Sequence, residues 1–196
     1  MPARQKLEWL WQEGYDPSVD PFVRKYLPHL TVPLSLTAEI SCEVAPDPDA
    51  LGLTLAELRQ ASGELHLAIE FVESLTPSTL AAVSLAELYL LEGRWANVAD
   101  LTNEIENEDE LSTYLLIQRG VAFREQRFFE ASREALKKAL SIRSRPAALR
   151  HLALIERGQC YLAEGKRSMA NKDFQKVLAE NAAYPGPAAY QASVGS

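Results

Sequence analysis

The segment 120-GVAFREQRFFEASREALKKAL-140 decides the fold. It reads as two amphipathic helices, yet its smallest residues, Gly120, Ala131, Ser132 and Ala139, fall where a core helix normally carries Leu or Ile. Small side chains on a buried face let two helix backbones approach closely. Gly120, Ser132 and Ala139 are therefore expected to be contact points between the two helices.

The same pattern recurs along the chain, and a fixed repeat governs the choice of fold. LAELRQASGELHLAIEFVESL, Leu55 to Leu75, aligns without gaps on LAELYLLEGRWANVADLTNEI, Leu85 to Ile105, and GQCYLAEGKRSMANKDFQKVL, Gly158 to Leu178, falls into the same frame. The leading small residues of the four units are Ala56, Ala86, Gly120 and Gly158, spaced 30, 34 and 38 apart. Three residues later stand Arg59, Tyr89, Phe123 and Tyr161, and twelve residues later Ala68, Val98, Ser132 and Ala170. Gly63, Gly93 and Gly165 mark breaks at which a left-handed residue ends one helix before the next begins. Thr54-x-x-Glu57 fits a capping box and Thr76-Pro77 a capped start. Each unit is thus a helical hairpin with one uncovered apolar face, which must stack on a neighbour.

With these residues in view, the sequence resembles the tetratricopeptide repeats. Leu154-x-x-Arg157-Gly158-x-x-Tyr161 followed by Ala170-x-x-x-Phe174 matches that family's pattern best, with Leu154 for its tryptophan, Arg157 for its leucine and Ala182 for its closing proline. The second-best unit runs Leu116, Arg119, Gly120, Phe123, Ser132, Leu136, Ala139. The expected fold is all-α, a superhelical array of hairpins with a short, partly extended N-terminal segment. Residues 1–48 are expected to form an N-terminal cap, 49–78, 79–112, 113–150 and 151–184 the repeats, and 185–196 a disordered tail. In the cap, residues 3 to 13 suit a short helix, and Ile40, Cys42 and Val44 alternate as in extended chain, while Pro28 and Pro33 argue against a central strand.

Composition and motifs exclude most chemistry. Apolar content of 47% with 24% charged residues is that of a globular chain. Cys42 and Cys160 give neither a disulfide framework nor a zinc spacing, and His29, His66 and His151 stand in no ligand pattern. No nucleophile elbow or phosphate-binding glycine loop occurs. No catalytic residue, metal or cofactor is expected, and the acidic run Glu106 to Glu110 is read as a solvated loop ahead of a helix N-terminus. The first 14 residues lack the features of a signal peptide, so a cytoplasmic, non-membrane protein is expected.

Charge is divided unevenly. Residues 1–112 carry 6 basic and 20 acidic side chains, a net of −14, and residues 113–196 carry 14 and 7, a net of +7. Arg119, Arg124, Arg127, Arg133, Lys137 and Lys138 crowd into one hairpin, a surface suited to an acidic peptide partner. The resemblance implies that the first helices of successive hairpins line a concave groove. In this frame the groove residues are Tyr114, Ile117, Gln118, Val121 and Arg124, then Leu152, Ile155, Glu156 and Gln159. One subset of that family grips chaperone C-termini with a clamp of lysine, asparagine and arginine; the corresponding places here hold Val83, Glu87, Gln118, Leu152 and Glu156. The expected function is a non-enzymatic module that binds a peptide or helix of a partner protein. An auxiliary subunit of an enzyme complex is the alternative, and the overall charge of −7 disfavours a nucleic-acid binder. Because Met169, Phe174, Val177 and Leu178 are followed only by a Pro- and Gly-bearing tail, the C-terminal end is expected to pair in a homodimer.

Overall fold

The computed structural model describes residues 3–184, so the tail 185–196 lies outside the described residues. The chain divides into two compact units, Met1–Gly93 and Arg94–Ser196. Each is built from tetratricopeptide-like helical packing, and among the described residues the strand content is one small ribbon in the first unit.

The first unit contains α1 (Ala3–Gln12), α2 (Pro21–Tyr26), β1 (Val32–Leu34), β2 (Cys42–Val44), α3 (Pro48–Ala61), α4 (Leu65–Glu73) and α5 (Thr79–Leu91). The strands pair antiparallel with Pro33 opposite Glu43, and a two-stranded ribbon has only edges, which is why a proline is tolerated there. Leu34, Leu36 and Ile40 turn inward and are buried. Helix α3 begins earlier than the Thr54 capping box implies. Asp47 accepts from the Ala50 amide at 2.7 Å and Pro48 supplies the first turn, so Thr54 sits mid-helix and donates to the Ala50 carbonyl. Likewise Ser78, two residues after Thr76, caps α5 by accepting from the Ala81 amide.

Helix α1 packs against α3. Trp11 meets Phe71 of α4 edge-on at 5.7 Å, and Gly52 lies so close to Trp11 and Leu75 that a Cβ there would overlap both. Four charges stitch the entry of α1 to the α3–α4 turn: Arg4 pairs with Glu8 and Glu64, and Arg59 pairs with the same two carboxylates.

The second unit contains α6 (Trp95–Leu101), α7 (Glu110–Glu125), α8 (Phe129–Ala139), α9 (Ala147–Ala163) and α10 (Arg167–Glu180). Helices α7 and α8 form one hairpin, α9 and α10 the next, and α9 rests on both members of the first. The small residues do what the sequence requires of them. An ideal Cβ on Gly120 would lie 2.5 Å from Leu136 Cγ, and one on Gly158 would lie 2.7 Å from Phe174 Cζ, so glycine is the condition for each crossing. Ser132, fully buried, donates its hydroxyl to the Gly120 carbonyl at 2.7 Å and ties α8 to α7.

The hairpin turns share one geometry. Gly165 has φ +80°, and the Lys166 amide reaches back to the Tyr161 carbonyl at 2.8 Å. In the α7–α8 turn Arg127 occupies the glycine's place at φ +65°, and the Phe128 amide reaches the Phe123 carbonyl at 2.8 Å. The acidic loop before α7 is ordered by its own caps. Asp109 accepts from the Ser112 amide, and the Ser112 hydroxyl accepts from the Asp109 amide. Asn107 in the same loop donates its side-chain amide to the carbonyls of Lys138 and Ala139 at the end of α8 and accepts from Thr113. Arg145 donates to Thr113 and Asn107 from the α8–α9 connection, which closes the clasp.

Candidate partner-binding surface

The nine groove residues all fall on α7 and α9, helices that lie against each other in the second unit. They do not share one level of exposure. Tyr114, Ile117, Gln118 and Ile155 are buried, with Ile117 at 0% and Gln118 at 7% exposure, whereas Val121, Arg124, Leu152, Glu156 and Gln159 are half-buried. The second group forms the accessible row, and the first forms the floor beneath it. Spacing alone could not separate the two, because burial in an array depends on the neighbouring helix.

Arg124 is engaged. Its guanidinium pairs with Glu156 of α9 and with the adjacent Glu125 at 2.9 Å. Burial works to lower its pKa and the two carboxylates more than offset this, so the group is held above the ordinary arginine value. The Arg124–Glu156 pair crosses from α7 to α9 in the middle of the row, leaving mixed aliphatic and polar surface on either side.

Most of the basic hairpin is tied to acids or carbonyls as well. Arg133 pairs with Glu164, Lys137 with Glu134, and Lys138 with Glu106 and the Ile105 carbonyl, while Arg119 donates to the carbonyls of Thr102 and Asn103. Arg127 lies over the Phe129 ring at 5.8 Å. The pairs are mostly long-range in sequence, which hides them from any local reading of charge.

At the C-terminal end the structure changes the expectation of an uncovered apolar face. Phe174 and Val177 are 0% exposed, in a cluster with Leu154, Ile155 and Ala170, and Tyr184 packs against that cluster. Tyr184 also meets His151 edge-on at 5.3 Å. Met169 is the large apolar side chain exposed on α10. Charged substitutions at Phe174 or Val177 would therefore report on folding and not on pairing.

The first unit carries a surface that sequence reasoning missed. Val19, Phe22, Tyr26, Leu27 and Leu30 are all more than 40% exposed around α2, beside an apolar cavity of about 270 Å³ that reaches Leu7, Leu10 and Leu51. The PFVRKYLPHL segment held the signal, an apolar side chain at every third or fourth position with no neighbour of its own to cover it.

This geometry defines a fold, an all-α array of tetratricopeptide-like helical hairpins. No protein-family model matches the sequence, and no curated protein does. Among solved structures, the chain is similar to the N-terminal domain of the EccA1 ATPase from the ESX-1 secretion system of Mycobacterium tuberculosis, with a TM-score of 0.74 and 18% identity, covering 98% of this chain and 71% of that one. At that identity the likeness speaks for the fold. No described helix is long and apolar enough to cross a membrane.

Proposed function

We propose that the chain is a non-enzymatic protein-interaction module, and that the surface shared by α7 and α9 receives a peptide or helix of a partner protein. The observation that carries this reading is the row Val121, Arg124, Leu152, Glu156 and Gln159, which joins two adjacent helices into one surface of mixed polarity. Such a surface offers apolar contact and hydrogen-bonding groups together, as peptide recognition requires. Leu152→Glu tests it. Partner protein captured by the wild type and identified by mass spectrometry should be lost with this variant, while the melting curve moves by less than the equivalent of about 1 kcal/mol, as for a surface change. Undiminished recovery would place the site elsewhere.

A second reading is favoured by the likeness to a domain that belongs to an ATPase. In it the chain serves as an accessory domain or subunit of an enzyme complex. Co-purification of a nucleotide-hydrolysing protein in the same capture would favour it.

A further inference from the structure

On the other side of α7 from that row lies a second groove. It has a volume of about 610 Å³, with Leu116 and Phe123 of α7 and Ala131 and Ala135 of α8 as its apolar floor. Arg119, Lys137 and Lys138 stand around it with one acid, Glu134, which pairs with Lys137. At 100° per residue, Leu116, Arg119 and Phe123 cluster roughly opposite Val121 and Arg124, so the two surfaces are separate.

The next hairpin shows what fits such a face. Thirty-eight residues on, Leu154, Arg157 and Tyr161 of α9 and Asp173 of α10 hold the corresponding positions. There the face is covered by a helix: α8 packs on α9, Arg133 lies over the Tyr161 ring at 5.7 Å, and Leu140 packs against the cluster of Leu154 and Phe174. In the 34-residue frame the counterparts of Arg133 and Leu140 are Ala99 and Glu106. Helix α6 packs on α7 as α8 does on α9, but it ends at Leu101 after 7 residues where α8 runs for 11, so it covers only part of the face and Glu106 is in a loop.

The charges differ in the same sense. Arg157 makes two 2.7 Å bonds to Asp173 of its own hairpin. Ala135 takes the aspartate's place in the earlier hairpin, and Arg119 turns to the carbonyls of Thr102 and Asn103 at 3.2 and 2.9 Å. Lys138 is met by the exposed Glu106, and the Lys137 side chain is 71% exposed. A carboxylate entering this groove would give Arg119 the acid that Arg157 already has.

We propose that this groove binds an acidic amphipathic helix of a partner protein, laid past the end of α6 along the stretch that the C-terminal part of α8 covers on the following hairpin. Its apolar side chains fill the floor between Leu116 and Ala135, and its carboxylates meet Arg119, Lys137 and Lys138. The proposal concerns a different surface from the α7–α9 row and stands or falls separately from it.

A labelled peptide of about 15 residues, near the shortest length that is appreciably helical in water, provides the probe, with Leu and Glu at helical spacing. A second peptide with every Glu replaced by Lys is the control. Fluorescence anisotropy with the full chain should show saturable binding of the acidic peptide and none of the basic one. Lys137→Glu should weaken binding about fivefold, and Ala131→Glu, which places a carboxylate in the floor, about tenfold or more, with melting curves unchanged. Leu152→Glu should leave it unchanged, which separates this site from the other. Absence of saturable binding, equal binding of the basic peptide, or wild-type affinity in both groove variants would overturn the proposal. So would a 15-nucleotide oligothymidylate that binds the wild type and loses affinity in the same two variants.

Discussion

Replacing Gly158 by alanine puts the packing argument at risk with one methyl group. The Cβ would lie 2.7 Å from Phe174 Cζ and 2.9 Å from Cδ1, whereas carbon atoms rest at about 3.5–4.0 Å. The ring would have to move by roughly 1 Å, but it is fully buried among Leu154, Ile155, Ala170 and Val177, so the movement must spread α9 from α10. Overpacking of this kind costs about 1–3 kcal/mol, against about 1 kcal/mol gained when alanine replaces glycine within a helix. The expected outcome is a net loss of up to about 2 kcal/mol, at most a few degrees in melting temperature by circular dichroism. Phe174→Leu, which trims the ring, should cost less in the Gly158→Ala background than alone. Gly165→Ala, seven residues away, is the contrast. Nothing lies within 4 Å of its Cβ, so its loss of about 1 kcal/mol comes from the +80° backbone and Phe174→Leu cannot relieve it. A Gly158→Ala protein that melts above the wild type, or a Phe174→Leu loss as large in that background as alone, would refute the close-crossing argument.

Three further outcomes are expected. Asp173→Ala leaves the Arg157 guanidinium without its bidentate acid and should cost about 2–3 kcal/mol, less in an Arg157→Met background; equal losses in both backgrounds would dissolve the pair. The Ser112 amide and hydroxyl hold Asp109 below the usual carboxylate range, with burial opposing them, so its capping is complete at neutral pH and is lost as pH falls from about 4 through the depressed folded value. Asp109→Ala should therefore cost about 1 kcal/mol at neutral pH, and the gap should narrow in melts taken at successively lower pH below about 4; a gap independent of pH contradicts this. Pairing of two copies through the C-terminal end would use the exposed Met169 and should be lost in Met169→Glu with the fold intact; sedimentation velocity that finds a monomer at every concentration excludes it.

The hairpins were legible because their signal is local. Gly120 with Ser132 and Leu136, or Gly158 with Phe174, lie within 16 residues of each other, and the turn between them repeats. Helix starts were less so: Thr54 and Thr76 have the right chemistry for caps, but Asp47-Pro48 and Ser78 offer caps that lengthen the apolar face or follow the proline. The candidate surface was legible only as a set of positions. Which residues would be floor and which row depends on helices some 30 residues away, as does the Arg124–Glu156 pair, and periodicity says nothing about either. Nor does composition disclose that α6 stops short, since Thr102 and Glu104 are tolerable in a helix and the chain leaves it to bring Asn107 to the end of α8.

That last residue explains a detail of spelling in the loop. From Glu106 to Glu110 every side chain is an acid except Asn107, although asparagine and aspartate have the same shape and the loop has no aversion to charge. The amide at 107 points its NH2 at two carbonyls of a helix C-terminus, where partial negative charge already gathers. An aspartate there would set oxygen against oxygen. Deamidation of this one side chain would make that change without any mutation, converting the clasp between α8 and α7 into a repulsion.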